Sequence, residues 1–220
     1  MSNTVLVIGP SGSGKSTSLR NLDPTSTFII NVLDKPMPFK GHGKNYVSIA
    51  NGNEEKGNYY ATDDWDKIIR CIKLIDKKRP DIKTLIIDDL QYIMANEFMR
   101  RATEKGYEKF TEMAQHIWEI INNLASTRND LFSFVLCHSE IDSLGVSKVK
   151  TIGKLLDDKI TLEGMFTCVF HSKIDNGAYK FMTQSDGFHI AKSPLGMFDE
   201  ILVDNDLSII REKISSYYEE

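Results

Sequence analysis

The strongest chemical signal in the chain is Gly9-Pro10-Ser11-Gly12-Ser13-Gly14-Lys15-Ser16, which satisfies the spacing G-x-x-x-x-G-K-[ST] at each fixed position. Glycine at 9, 12 and 14 gives access to backbone conformations closed to other residues and keeps side chains clear of a ligand. Successive N–H groups then converge on one anion, with a helix N-terminus behind them. A lysine at 15 reaches the β- and γ-phosphates of a nucleoside triphosphate, the Ser16 hydroxyl is a ligand for Mg²⁺, and Thr17 follows where an α-phosphate is met. These residues imply binding of ATP and release of ADP, with Mg²⁺ as cofactor.

A pair of carboxylates supplies the second signal. Thr84-Leu85-Ile86-Ile87 is an unalternated apolar run, as in a parallel strand covered on both faces, and it ends in Asp88-Asp89. The carboxyl edge of such a sheet is where ligands bind. Asp88 is therefore expected to hold Mg²⁺, directly or through water, and Asp89 to orient or deprotonate an attacking water. Asp89 fits equally well as the cap of a helix beginning at Leu90. A third apolar run, Leu131–Cys137, ends in His138-Ser139-Glu140, which puts an imidazole at the same edge, as a site group or as a satisfied structural histidine.

The elements that must position these groups alternate in type. Thr4–Ile8 reads as a buried strand entering the glycine-rich loop, and Thr17–Leu22 as the helix leaving it. Thr27–Val32 is a second strand. Prolines exclude helix from the following segment, Leu33–Lys44, which Lys35, Lys40 and Lys44 make locally basic. Residues 51–58 read as a surface loop. Thr62-Asp63-Asp64 starts a helix whose apolar stripe is Trp65, Ile68, Ile69, Ile72 and Ile75, closed by Arg79-Pro80. Two more helices are expected, over 90–104 and from Phe110 to Ala125. Arg100 and Arg101 lie on the polar side of the first, solvated or reaching a neighbouring subunit.

Residues 139–153 have weak periodicity and carry Lys148 and Lys150, with Lys154 and Lys159 beyond, so they form either a solvated loop or a nucleotide-responsive DNA-binding loop. Met165–His171, the turn Asp175-Asn176-Gly177 and Tyr179–Thr183 predict an antiparallel hairpin, with Phe188–Ala191 as a further edge strand. A helical tail runs from Asp206 to about Tyr218. The expected fold is α/β, a mostly parallel central sheet flanked by helices with a C-terminal antiparallel hairpin extension. Residues 1–200 form one nucleotide-binding domain and 201–220 a tail.

Composition narrows the classes. The chain of 220 residues is 41% hydrophobic and 26% charged, ordinary values for a globular domain, and its net charge of −4 excludes a surface basic all over. Nucleic acid would have to meet local patches. The three cysteines are scattered, as expected for packed thiols in a reducing compartment. Cys137, His138, Cys168 and His171 have no zinc-like spacing. The apolar run before the phosphate loop is too short for a leader peptide, and no run reaches the ~18 residues of a membrane span. A cytoplasmic protein without membrane contact is expected.

The order phosphate loop, Asp88-Asp89, strand-end His138 and terminal hairpin resembles the RecA-like side of the P-loop ATPases. More narrowly, Lys35-Pro36-Met37-Pro38-Phe39-Lys40-Gly41, Asp186-Gly187 and Ala191-Lys192-Ser193-Pro194-Leu195-Gly196-Met197-Phe198 resemble the phage-encoded AAA-domain nucleotide-binding proteins. Those are small ATPases found near phage recombination and single-strand-annealing genes. The resemblance implies ATP hydrolysis on single-stranded DNA in recombination, repair or replication, a homo-oligomeric ring or filament, phage recombination or replication proteins as partners, and host cytoplasm. It further implies that His138 senses the γ-phosphate and that Lys192 reaches a neighbour's γ-phosphate, although no arginine follows it. Asp34 stands where RecA-type enzymes often carry the catalytic glutamate, so Asp34 and Asp89 are rival water-activating groups. A P-loop kinase for a nucleotide or small metabolite, and a slow ATP-dependent adaptor or loader, are the alternatives.

Overall fold

Apolar runs that alternate with amphipathic helices leave a chain little choice but to layer. The computed structural model describes residues 3–50, 52–53, 55–153 and 156–219. Its strands are β1 (Asn3–Gly9), β2 (Thr27–Asn31), β3 (Tyr59–Ala61), β4 (Thr84–Asp88), β5 (Phe132–Ile141), β6 (Ser147–Val149), β7 (Cys168–Asp175), β8 (Ala178–Met182) and β9 (Leu202–Asp204). The sheet order is β3-β2-β4-β5-β1-β7-β8-β9, with β6 paired to β5. Strands from β3 to β7 along that order are parallel, while β8 and β9 continue the sheet antiparallel. The protein is thus α/β, with a mostly parallel mixed sheet flanked by helices.

Strand alternation sends side chains to both faces, and both are apolar. Leu6 and Ile8 of β1 join Ile30, Ile87 and Val135 beneath α2 (Trp65–Lys78) and α4 (Glu108–Ala125). Val5 and Val7 face Leu19, Phe134, Phe170 and the apolar stripe Leu207, Ile210 and Ile214 of α5 (Leu207–Glu219). Helix α2 begins near the expected start, but its cap is the Asp64 carboxylate, which accepts the N–H groups of Asp66 and Lys67, while the Thr62 hydroxyl accepts from Asp64 N–H ahead of it. The Trp65 ring stacks on His116 at 3.9 Å and ties α2 to α4. A short helix α1 (His42–Asn45) ends the proline-bearing loop, and α3 (Gln91–Arg100) is shorter than the expected 90–104.

The departures have local causes. The helix expected over Thr17–Leu22 is present as a short 3₁₀ helix, Ser16–Asn21. Asp23 accepts from the Thr25 N–H and hydroxyl, Pro24 follows, and the chain turns into β2 within a few residues. Residues 139–149 are no loose loop, because β5 runs past His138 and folds back as β6. The Asp142 carboxylate pins that turn by accepting from Leu144 and Val146 N–H. Lys154 lies outside the described residues. The predicted strand over 188–191 is reduced to isolated bridges, His189 to Ser147 and Lys192 to Val169. The tail is no appendage: β9 extends the sheet, and α5 packs beside Leu19. Asn176 (φ 47°) and Gly177 (φ 81°) form the tight turn joining β7 to β8, as predicted. Among the described residues no helix is long and apolar enough to cross a membrane.

One buried histidine gives the fold a pH dependence. His171, 2% exposed, places Nε2 2.9 Å from the Ser147 hydroxyl and its ring 4.7 Å from that of His189, with Asp186 beyond and Lys15 and Lys173 adding positive charge. Burial, with His189 next in weight, pushes its pKa down to about 4 from 6.5. The unfolded chain therefore takes up a proton that the folded chain refuses. This contribution to stability is complete above about pH 6.5 and is lost as pH falls towards 4, on the order of 3 kcal/mol in all. Chemical denaturation at pH 5 and pH 7.5 should show a smaller acid loss in His171→Gln than in the wild type; equal losses would contradict it.

Candidate functional site

The glycine-rich loop is held from below. Ser13 O accepts from the Ser172 hydroxyl of β7 at 2.6 Å, and that hydroxyl accepts from Asn205 Nδ2 at 3.1 Å. A Cβ on Gly9 would stand 2.6 Å from Ser172 O, so only glycine lets the loop and β7 approach this closely. Gly14, at φ 97°, lies against the Tyr179 ring, where a Cβ would come within 2.8 Å. Lys15 is 5% exposed and donates to Gly9 O and Pro10 O, both at 2.9 Å. Burial pulls its pKa down, and the Asp89 and Asp88 charges oppose that pull.

Across the loop, the Ser16 hydroxyl donates to Asp88 Oδ1 at 3.1 Å. Asp88 is 5% exposed, and burial together with the neighbouring Asp89 charge pushes its carboxyl up to about 6. Asp89 has φ 69°, in the left-handed region that aspartate tolerates better than most residues. Its carboxylate faces the cleft instead of capping α3: Oδ1 lies 3.3 Å from His138 Nε2 and Oδ2 3.3 Å from Lys35 Nζ. Burial works to raise the Asp89 carboxyl, but His138 and Lys35 outweigh it and hold it below the ordinary carboxylate value.

These groups bound one cleft of about 340 Å³, walled by the glycine-rich loop, Asp88, Asp89, His138, Tyr179 and the Lys35–Pro38 segment. Register explains the convergence. Gly9 of β1 pairs with His138 of β5, and Asn31 of β2 with Asp88 of β4. Ile87 pairs with Val135, so Asp88 and Asp89 come level with Leu136 and Cys137, just before His138, and all leave the sheet at its carboxyl edge. No protein-family model matches the chain, nor does any curated protein. The geometry of the cleft is what speaks to function.

Ser11, Gly12, Gly14, Lys15, Ser16 and Thr17 line the cleft, while Gly9 and Pro10 serve through their carbonyls and Ser13 through its hold on β7. Two sequence candidates are not brought in. Asp34 accepts from the Tyr59 hydroxyl at 2.8 Å, outside the lining. Lys192 exchanges main-chain hydrogen bonds with Val169, further down β7 than Ser172, and is likewise outside it. Arg100 pairs with Asp63, and Arg101 with Glu97, Glu104 and Glu112, so both are engaged within the chain. Cys71, Cys137 and Cys168 are buried free thiols. Sequence reasoning missed Lys35 and Tyr179 as cleft residues. Lys35 had a signal, a cation in the loop that leaves a buried strand; Tyr179 had none beyond following a turn.

The donor set suits a hard cation. A buried carboxylate and a hydroxyl 3.1 Å apart are oxygen ligands of the kind Mg²⁺ takes, few in number where phosphates supply the rest. Among the described residues no group of His, Cys, Asp and Glu could hold a metal by itself.

Proposed function

We propose that the protein is a Mg²⁺-dependent ATPase of RecA-like type that assembles with itself and acts on single-stranded DNA in phage recombination, repair or replication. The observation that carries the reading is the Ser16–Asp88 hydrogen bond of 3.1 Å, which joins an amide-lined loop to a buried carboxylate from another strand. Ser16 and Asp88 would hold Mg²⁺, which when bound draws charge from the phosphate oxygens. Loop amides and Lys15 grip the phosphates. Asp89 orients water, whose oxygen bonds to the γ-phosphorus as the bond to the β,γ-bridging oxygen breaks. The electron pair leaves on ADP, and the water proton passes to Asp89.

The strand order supports a nucleotide-sensing design. Because β5 lies between β1 and β4, its end delivers His138 between the loop and Asp89. The His138 carbonyl in turn accepts from Lys150 N–H at 2.8 Å, so the β5–β6 hairpin is bonded directly to the sensing residue. That hairpin carries Lys148 and Lys150, phosphate-contacting side chains of the kind that track a nucleic-acid backbone.

Turnover of Mg·ATP, measured as free phosphate with and without single-stranded DNA at ~50 mM salt, tests both parts. Stimulation by DNA that fades with salt is the expected result. ATP hydrolysis without any response to DNA removes the DNA assignment alone. Phosphate recovered on an added acceptor would replace the ATPase with a kinase.

A further inference from the structure

The cleft contains a second cation that the expected machinery leaves without a task. Lys35 comes soon after β2, and its main chain is held on both sides. Its carbonyl accepts from Asn31 Nδ2 at 2.7 Å, Asp34 before it is tied to the Tyr59 hydroxyl at 2.8 Å, and Pro36 and Pro38 stiffen the residues after it. The ammonium lies 3.3 Å from Asp89 Oδ2 and 5.3 Å from the centre of the Tyr92 ring. The root of this side chain is therefore fixed by the β2–β4 pairing that also places Asp88.

We infer that Lys35 is a catalytic residue, a cation supplied by the same subunit that leaves Asp89 for the γ-phosphate oxygens as the β,γ bond breaks. The inference rests on the ATPase reading above and names the group that completes it. A triphosphate brings more negative charge than Lys15 and one divalent cation neutralise, and Asp88 and Asp89 add to the excess. A P-loop site commonly answers with a further cation at the γ-phosphate. Within one subunit the arginine pair is engaged elsewhere and Lys192 lies outside the cleft, so neither supplies a cation to the subunit's own phosphates. Lys35 is the cation already in place. If Asp89 holds the attacking water, a γ-phosphate oxygen lies within one water of the carboxylate that Lys35 touches, a distance its flexible stem spans. The Lys35 side chain is 59% exposed and Asp89 11%, so exchanging Asp89 for a phosphate oxygen trades one half-buried ion pair for a more strongly charged partner.

The test compares wild type, Lys35→Ala, Lys35→Met, Lys35→Arg and Lys192→Ala in three measurements. These are turnover over a range of protein concentrations, affinity for a non-hydrolysable ATP analogue with Mg²⁺, and trapping of Mg·ADP with aluminium fluoride. Lys35→Ala and Lys35→Met should lose roughly a hundredfold to a thousandfold in kcat. Their analogue affinity should stay within about threefold of wild type, since the cation acts where charge develops during transfer. Aluminium fluoride trapping should fall with kcat, and Lys35→Arg should recover part of both. A loss confined to kcat with trapping intact would demote Lys35 to a positioning group for Asp89 and overturn the inference. So would kcat within about threefold of wild type in both neutral variants, or turnover per subunit that rises with concentration and disappears in Lys192→Ala. A wild-type chain with no affinity for Mg·ATP would instead overturn the ATPase reading, and Lys35 with it.

Discussion

Lys15→Ala removes measurable binding and turnover of Mg·ATP while leaving the ligand-free protein folded. Two opposing terms set that expectation. The ammonium is buried, and burial has already pulled its pKa down, so the fold bears a desolvation penalty for holding a charge there. Against it stand two hydrogen bonds, to Gly9 O and Pro10 O, each contributing about 1 kcal/mol net. Truncation relieves the first and forfeits the second, so the ligand-free melting temperature should change by only a few degrees. The bound state has no such balance. Charge-assisted bonds to phosphate contribute roughly 1.5–3 kcal/mol each, and losing two of them weakens binding by roughly a hundredfold or more. Titration calorimetry and the nucleotide-induced rise in melting temperature read the two states separately. A variant that still binds Mg·ATP within a few-fold of wild type would mean that this loop is not the phosphate site.

That contrast bears on what the sequence made legible. Local rules sufficed where neighbours in sequence decide the outcome. The helix start at Thr62-Asp63-Asp64, the stripe Ile68, Ile69, Ile72 and Ile75, the buried run ending in Asp88 and the Asn176-Gly177 turn all lie where residue type and spacing put them, although the cap itself is Asp64 and not the Thr62 hydroxyl. The convergence of Ser16 on Asp88 was legible through the motif spacing and the strand-end position. What stayed hidden depends on partners far along the chain. Asp34 and Asp89 both come after buried strands, and nothing local says that one meets Tyr59 and the other meets His138 and Lys35. Tyr179 reaches Gly14 only because β7 pairs with β1, a register that composition does not encode. The strand β9 and the short pairing of β6 are three residues each, too brief for periodicity to register. The helix after the glycine-rich loop is a short 3₁₀ turn because the Asp23 turn and Pro24 left the chain few residues before β2.

The separation of the two carboxylates becomes the sharpest functional contrast in the molecule. Asp89→Asn keeps the shape of the side chain, and asparagine tolerates a φ of 69° as aspartate does, so the loop after β4 keeps its path. The variant loses a charge able to orient water and accept its proton, an effect of about a hundredfold to ten-thousandfold in kcat. Affinity for a non-hydrolysable analogue should hold or tighten, because one negative charge leaves the wall facing the phosphates. Asp34→Asn provides the comparison. It only turns the charge-assisted bond from the Tyr59 hydroxyl into a neutral one, since the amide oxygen still accepts, so its effect belongs to stability and stays within about 1 kcal/mol. Single-turnover phosphate release with analogue titrations on both variants separates them. Equal losses of kcat would return Asp34 to the chemistry through a rearrangement of the 33–38 loop on nucleotide binding. Loss in Asp34→Asn alone would make the Asp89–Lys35–His138 cluster a clamp on the loop and leave water activation to the second strand. With loss in Asp89→Asn alone, the residue next to Asp88 performs the proton transfer, and the left-handed backbone that aims it at the cleft is part of the catalytic apparatus.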